Sequence, residues 1–345
     1  MVAPGLCGRP GESRIGGFIG FVSGNAHDRI AVFGFVMTGL LLGIGGAHVD
    51  RRGRVSVAFV AGASNPGTMH EEAGGGMLNA LRAARREGVA ATLVSTRGGD
   101  AAGETVARAI AEAGIADHSA IFLDRSTPSY TAILDETGDV VAALADMGLY
   151  DAAFERQLRR KGIREIVAGA DHILTDANLP AAAIARLLDT AAGRPVHAIA
   201  ISPAKAVRLA PHLARLDGLF LNGREAAALS GHTDPVDAAR WLLRAGLSQG
   251  AITQGGKPVI GLDAEGLFAI QPPAPATILD VTGAGDALAG TTVARLMRGE
   301  PFSHALRAGV AAATLTVESE GAAPHFDGQA MAARLALVPE PAPVP

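Results

Sequence analysis

One cysteine, Cys7, stands in 345 residues, so the chain can form no internal disulfide and no multi-cysteine metal centre. Aromatic residues make up only 4%, too few for the stacking platforms that hold single-stranded nucleic acid. Neither sign of charge dominates: 30 Lys and Arg against 34 Asp and Glu leave −4, which offers a polyanion no attractive field. That balance still permits a small phosphorylated ligand, because a few backbone amides suffice to hold one. A long apolar run is also missing. Ala31 to Ile44 is shorter than the roughly 20 residues a bilayer span needs, and it runs straight into Gly45 and Gly46. Nucleic-acid and membrane partners are therefore not expected. The cysteine usage fits a cytoplasmic setting, with a secretory leader as the lesser alternative.

What is present in excess is glycine, 44 residues, several of them clustered between hydrophobic runs; apolar residues reach 48%, enough for a sizeable core. Residues 1–36 read as a Gly-rich extension with Met37 as an alternative start. Residues 37–330 read as the main domain, and residues 331–345, ending in PEPAPVP, as a loose tail. Leu40 to Ile44 has the look of a buried strand feeding a glycine loop. Further strands are expected at 91–95, 163–167, 172–175, 196–201, 218–221 and 250–253. Helices are expected at 79–87, 103–113, 181–192, 207–213, 225–229, 235–245, 286–298 and 301–317. Strand and helix in alternation predict a mainly parallel sheet with helices on both faces. Arg54 to Ala61, and the two runs around the turn Asp135-Glu136-Thr137-Gly138 within Ser129 to Ala145, predict a small separate β-sheet.

The sharpest motif is Asp280-Val281-Thr282-Gly283-Ala284-Gly285-Asp286. A Gly-Ala-Gly turn opening a helix leaves its first amides free and adds the positive end of the helix dipole, a ready anion site. Asp286 there is either a plain helix cap or a base for a hydroxyl that attacks a bound phosphate. The stretch resembles the D-T-x-G-A-G-D signature of the ribokinase-like (PfkB) carbohydrate kinase family, with Val281 in place of the first Thr. The substitution removes a hydroxyl and leaves the turn and the carboxylate. The resemblance runs from about residue 38 to 328. It implies a three-layer α/β/α sandwich with a small β lid, formed by about 52–68 and 125–147. It also implies ATP and Mg²⁺ as cofactors, Asp286 as catalytic base, and the amides of Gly283, Ala284 and Gly285 as the anion hole.

Other landmarks follow in the family's order. Gly45-Gly46-Ala47-His48-Val49-Asp50 matches its first-strand motif, whose Asp binds sugar hydroxyls; by itself Asp50 also reads as a turn residue. Gly74-Gly75-Gly76 with Asn79 matches the Gly-Gly loop and its sugar-binding Asn, against the plainer reading of a helix start. Asn222-Gly223-Arg224-Glu225 matches N-x-x-E, which implies a role for Asn222 at the nucleotide and for Glu225 in holding Mg²⁺ through water, where a surface Glu is the bland alternative. Thr253 and Gly255 fall in the nucleotide loop T-x-G-x-x-G, with Pro258 for its last Gly. The loop Val317 to Pro324, followed by His325 where some members carry Ser, matches the family's loop that flanks the adenine. By the resemblance, backbone carbonyls there and at Asp280 and Thr282 imply a K⁺ site. No histidine spacing suggests a transition metal.

Within the family, Ser64-Asn65-Pro66-Gly67, Tyr130 to Asp135 and Ala145-Asp146-Met147 resemble pseudouridine kinases. Asn178 and Lys205 lie just past expected strand ends, where open α/β sheets bind ligands, and Thr131 lies in the lid hairpin. The resemblance makes these three contacts to a nucleoside; a helix cap and a solvated lysine are the alternatives for the first two. The implied reaction is phosphorylation of the 5′-hydroxyl of pseudouridine. A relative acting on ribose or adenosine is the alternative, and a non-catalytic nucleoside binder a more distant one. Relatives also pair through their lids, which implies a homodimer. A dinucleotide oxidoreductase is excluded, because Gly43-Ile44-Gly45-Gly46-Ala47-His48 lacks the last glycine of its fingerprint.

Overall fold

The computed structural model describes residues 39–319, 321 and 326–344. The readings of residues 1–36, Met37 and His325, and most of the 320–324 loop, lie outside them. A ten-stranded sheet runs in the order 342–344, 266–270, 257–263, 250–254, 218–222, 196–199, 172–176, 40–44, 90–94 and 116–117. The strands from 116–117 across to 250–254 are parallel, and the last three pair antiparallel. Helices cover both faces, giving the α/β/α sandwich. The central strand Leu40–Ile44 shows why: Leu41 packs into one hydrophobic cluster while Leu42 and Ile44 pack into the other. A strand covered on both sides reads as a continuous apolar run rather than an alternating one.

The helices Gly76–Arg86, Ala284–Leu296 and Phe302–Val317 share one face of the sheet. Their small residues let backbones approach. A Cβ on Gly290 would lie 1.9 Å from the carbonyl oxygen of Ala80, so only glycine fits where these two helices meet. That contact places the start of the 284–296 helix beside Gly76 and Asn79.

The lid is a separate four-stranded sheet in the order Gly67–Gly74, His48–Val55, Ser129–Leu134, Val140–Asp146. Three expectations need correction here. Residues 56–61 are not strand: pairing with Gly67–Gly74 fixes the strand at His48–Val55, and Val57 and Val60 are left more than half exposed in a loop. Residues 163–167 are helical, within Lys161–Gly169; Ile163 and Val167 are four apart and bury one helix face. The end of the chain is not a loose tail. Gly328–Leu337 is a helix capped by Asp327, and Ala342–Val344 pairs with Leu267–Ala269. Pro343 in that last strand is tolerated because the strand is an edge. The strands 257–263 and 266–270 were not expected.

Candidate active site

A cavity of about 850 Å³ opens between the lid and the carboxyl ends of the parallel strands. Into it the fold brings Asp50, Gly75, Gly76, Asn79, Asn178, Lys205, Asn222, Glu225, Thr253, Gly255, Thr282, Gly283, Ala284, Gly285 and Asp286. Residues more than 200 positions apart thus converge on one space.

The Gly-Ala-Gly turn opens a helix, as the sequence suggests. Gly283 takes φ 78° and caps the helix Ala284–Leu296, whose first hydrogen bond runs from the Ala287 amide to the Gly283 carbonyl at 2.8 Å. The amides before it are not spent on the helix. Asp286 makes no side-chain cap. Its Oδ2 accepts a hydrogen bond from Asn79 Nδ2 at 3.2 Å. Burial pushes the Asp286 carboxyl up to about 7; the Asn79 bond opposes this, and the nearby Asp176, Asp50 and Glu225 reinforce it. A carboxyl poised near neutrality is suited to accept a proton from an alcohol.

The end of the cavity around Asp50, Asn178 and Lys205 consists of braced side chains. Asp50 is 8% exposed, and its Oδ1 lies 3.4 Å from His48 Nε2, whose Nδ1 lies 3.2 Å from the Tyr150 hydroxyl. Gly75, at φ 101°, passes the chain over the Gly46 carbonyl, 2.6 Å from where a Cβ would stand. Asp176, wholly buried, accepts from the Gly46 amide at 2.8 Å, the Asn178 amide at 2.9 Å and Asn178 Nδ2 at 3.1 Å. Burial raises its pKa, and these hydrogen bonds hold it back. Lys205 Nζ donates to Asn178 Oδ1 at 2.5 Å; burial lowers its pKa, against the pull of Asp176. Ile201 lines the cavity at φ 68°, a β-branched residue in the left-handed region, where such strain costs about 1–3 kcal/mol.

The opposite end, around Asn222, Glu225 and Thr253, relies more on backbone and apolar surface. Asn222 and Glu225 form a reciprocal cap: Asn222 Oδ1 accepts from the amides of Arg224 and Glu225 at 2.9 and 3.0 Å, and Glu225 Oε2 accepts from the Asn222 amide at 2.8 Å. The helix-start reading of this motif is therefore realised, and Glu225 still lines the cavity with its pKa raised by burial. Pro272, Pro273, Pro275, Ile278 and Val281 complete this end.

Two expected residues do not join the lining. Thr131 faces away, and its neighbour Tyr130 lines the cavity instead, because successive side chains on a strand alternate. Asp280 is held outside by Arg52, Nη1 to Oδ2 at 2.5 Å. His48 and Arg52 were missed. Both had a signal, since they share a strand with Asp50 at spacings of two and so lie on its side.

Glu225 and the open helix start at Gly283 would fit Mg²⁺ that arrives on phosphates, since Mg²⁺ keeps several waters and takes few protein ligands. Among the described residues no group of three His, Cys, Asp or Glu could hold a metal alone. The Asp280 carboxylate itself does not fit K⁺, since Oδ2 takes the guanidinium of Arg52 and Oδ1 accepts the Thr282 amide at 2.8 Å; the carbonyls of the 317–324 loop lie in part outside the described residues.

Transfer of a phosphoryl group to an alcohol is the reaction that uses both ends of this cavity and the carboxyl between them. The chain belongs to the pfkB family of carbohydrate kinases, whose profile matches residues 43–327. It is a phosphotransferase acting on an alcohol group of a sugar or nucleoside. It is 30% identical over 270 residues to the pseudouridine kinase of Escherichia coli strain K12, a match covering 76% of this chain and 86% of that one. A carbohydrate kinase from Agrobacterium tumefaciens is 43% identical, with TM-score 0.80 over 88% of this chain and 99% of that one. Arabidopsis thaliana ribokinase, solved with ribose and ATP, shares the fold at 22% identity and TM-score 0.77, over 87% and 99% of the two chains.

Proposed function

We propose that the protein transfers the γ-phosphoryl group of ATP to the 5′-hydroxyl of pseudouridine, giving pseudouridine 5′-phosphate. The observation that carries this reading is Asp286. It is a carboxyl raised to about 7, it stands at the anion-binding helix start, and it shares a cavity with Asp50 and Asn79. The likeness to the E. coli pseudouridine kinase supports the acceptor.

In this reading Asp50 accepts hydrogen bonds from ribose hydroxyls, two at once if both oxygens are used. Asn79, whose Oδ1 is held by Arg82 Nη1 at 3.2 Å, keeps its amide group toward Asp286 and aligns that carboxylate on the 5′-hydroxyl. Lys205 and Asn178 meet the base, whose carbonyl oxygens suit their N–H donors. Asp286 takes the hydroxyl proton as the oxygen attacks, and the Gly283–Gly285 amides receive the charge that spreads over the phosphoryl oxygens. Glu225 would reach, through water, Mg²⁺ carried in by ATP, which would supply neutralisation of phosphate charge. The lid excludes water, so that ATP is not simply hydrolysed.

The proposal extends to a cytoplasmic homodimer joined through the lid. It is supported by the exposed apolar side chains Met69, Val140, Val141 and Leu144 on lid strands, and light scattering tests it. Among the described residues no helix is long and apolar enough to cross a membrane.

The function is tested by ADP release from MgATP with pseudouridine, uridine, adenosine, ribose or no acceptor. Turnover that depends on pseudouridine and is abolished by Asp286→Asn is expected. Faster turnover with ribose or adenosine would replace the acceptor and keep the reaction class.

A further inference from the structure

Arg52 belongs to a lid strand and sits two residues beyond Asp50 on the same side of it. Its guanidinium leaves the lid and reaches the loop that precedes the anion-binding turn. Nη1 contacts Asp280 Oδ2 at 2.5 Å, and Nη2 lies 3.5 Å from Glu72 Oε1 on the neighbouring lid strand. That oxygen is buried and makes no hydrogen bond. The guanidinium therefore lies between two carboxylates. The Arg52 and Asp280 side chains are 26% and 16% exposed, so this is no freely solvated surface pair. Burial alone would lower the pKa of Arg52, but Asp280 and Glu72 together hold it above its ordinary value.

The other oxygen of Asp280 faces inward along the chain. Oδ1 accepts the amide of Thr282, and the next residue, Gly283, begins the turn whose amides face the cavity. A continuous path thus runs from lid to guanidinium to carboxylate to turn. A free monovalent cation at Asp280 would have to share the carboxylate with a guanidinium already in contact with it, and like charges so close are unfavourable. The planar fork of arginine, unlike a spherical ion, also carries its charge on a strand that moves only with the lid.

We propose that Arg52 is a positioning residue, a tethered cation that takes the place of K⁺ at Asp280 and fastens the anion-binding turn to the closed lid. Turnover then needs no monovalent cation, and the turn is set only when the lid is down. The inference rests on the family assignment and not on which acceptor the enzyme takes.

The test compares the full-length wild type with Arg52→Ala, Arg52→Lys and Asp280→Asn in KCl and in choline chloride of equal ionic strength. Two readouts are needed: melting temperature, and kcat with whichever acceptor turns over. The wild type is expected to melt and turn over alike in both salts. Arg52→Ala is expected to lose about tenfold in kcat in choline, the scale of coupling within a partly buried pair. It should recover part of that loss, and gain melting temperature, in KCl or guanidinium chloride, because the vacated carboxylate can then bind a free cation. Arg52→Lys keeps the independence from K⁺. Asp280→Asn is impaired like Arg52→Ala but is not rescued by either cation, and this holds the inference open to test if Arg52→Ala folds poorly. A wild type that requires K⁺ or is selectively stabilised by it overturns the proposal, as does an Arg52→Ala indistinguishable from wild type in both readouts. Silence with every acceptor would count against the kinase reading, while the melting comparison would still decide for or against Arg52.

Discussion

The two ends of the cavity are made differently. At the end proposed for the acceptor the polar groups are side chains held by protein partners: Asp50 by His48, Asn178 by Asp176 and Lys205, Asn79 by Asp286 and Arg82. At the nucleotide end Asn222 and Glu225 are occupied with capping each other, and much of the remaining surface is proline, glycine and aliphatic. A side chain held by several neighbours offers a fixed direction to its ligand, which discriminates between acceptors that differ by one polar group. Backbone and apolar walls grip shape and phosphate without such discrimination. The acceptor end is therefore where single substitutions should hurt, and the nucleotide end where they should be absorbed.

That contrast can be broken from either side. The largest effect is expected between the two ends, where Asp286→Asn should lower kcat by about 10²–10⁴ with little change in either KM, read from initial rates. The same variant carries a pH signature. The folded pKa of Asp286, about 7, lies above its ordinary 3.8, so the stability this group contributes is complete below 3.8 and is lost as pH rises through about 7. The melting temperature of Asp286→Asn should therefore gain on that of the wild type between about pH 5 and about pH 8, and an unchanged difference would remove the burial argument. Next comes Asp50→Ala, which should cost about 100-fold in kcat/KM for the acceptor, the worth of two hydrogen bonds to a charged group. The KM for ATP should hold. Lys205→Met should cost the acceptor about tenfold, since it removes one charged donor and frees the Asn178 amide to turn. Smallest is Thr253→Ala, with less than about threefold on the KM for ATP if backbone carries that end. A larger loss there than at Lys205 would overturn the comparison.

The sandwich was legible from its buried strands, because a strand covered on both faces announces itself as an apolar run between turn residues. The reading failed where apolar content and burial part company. Val57 and Val60 are apolar and exposed, and they drew the lid strand several residues too far along the chain. Ile163, Ile166 and Val167 look alike in a five-residue window whether they sit on a strand or at helical spacing, and only packing decided for the helix. In the site, Asp286, Asn79 and Asp50 were named from motifs, and the fold brings all three to one cavity. Tyr130 was confused with Thr131 because strand register, which decides which of two neighbours faces the cavity, is set by pairing with distant strands. Arg52 was passed over for a different reason. Its partner Asp280 is 228 residues away, and nothing local tells a docked arginine from a solvated one.

The short strand Ala342–Val344 has a consequence beyond packing. It shields the outer side of Leu267–Ala269 at the rim of a ten-stranded sheet, and Pro341 and Pro343 beside and within it have no N–H to offer a further strand. The rim is thereby finished with a border that resists growth. Trimming these few residues would expose ladder groups that can pair with the same rim on another molecule, so the first symptom of a shortened chain should be clumping during expression rather than a slower reaction.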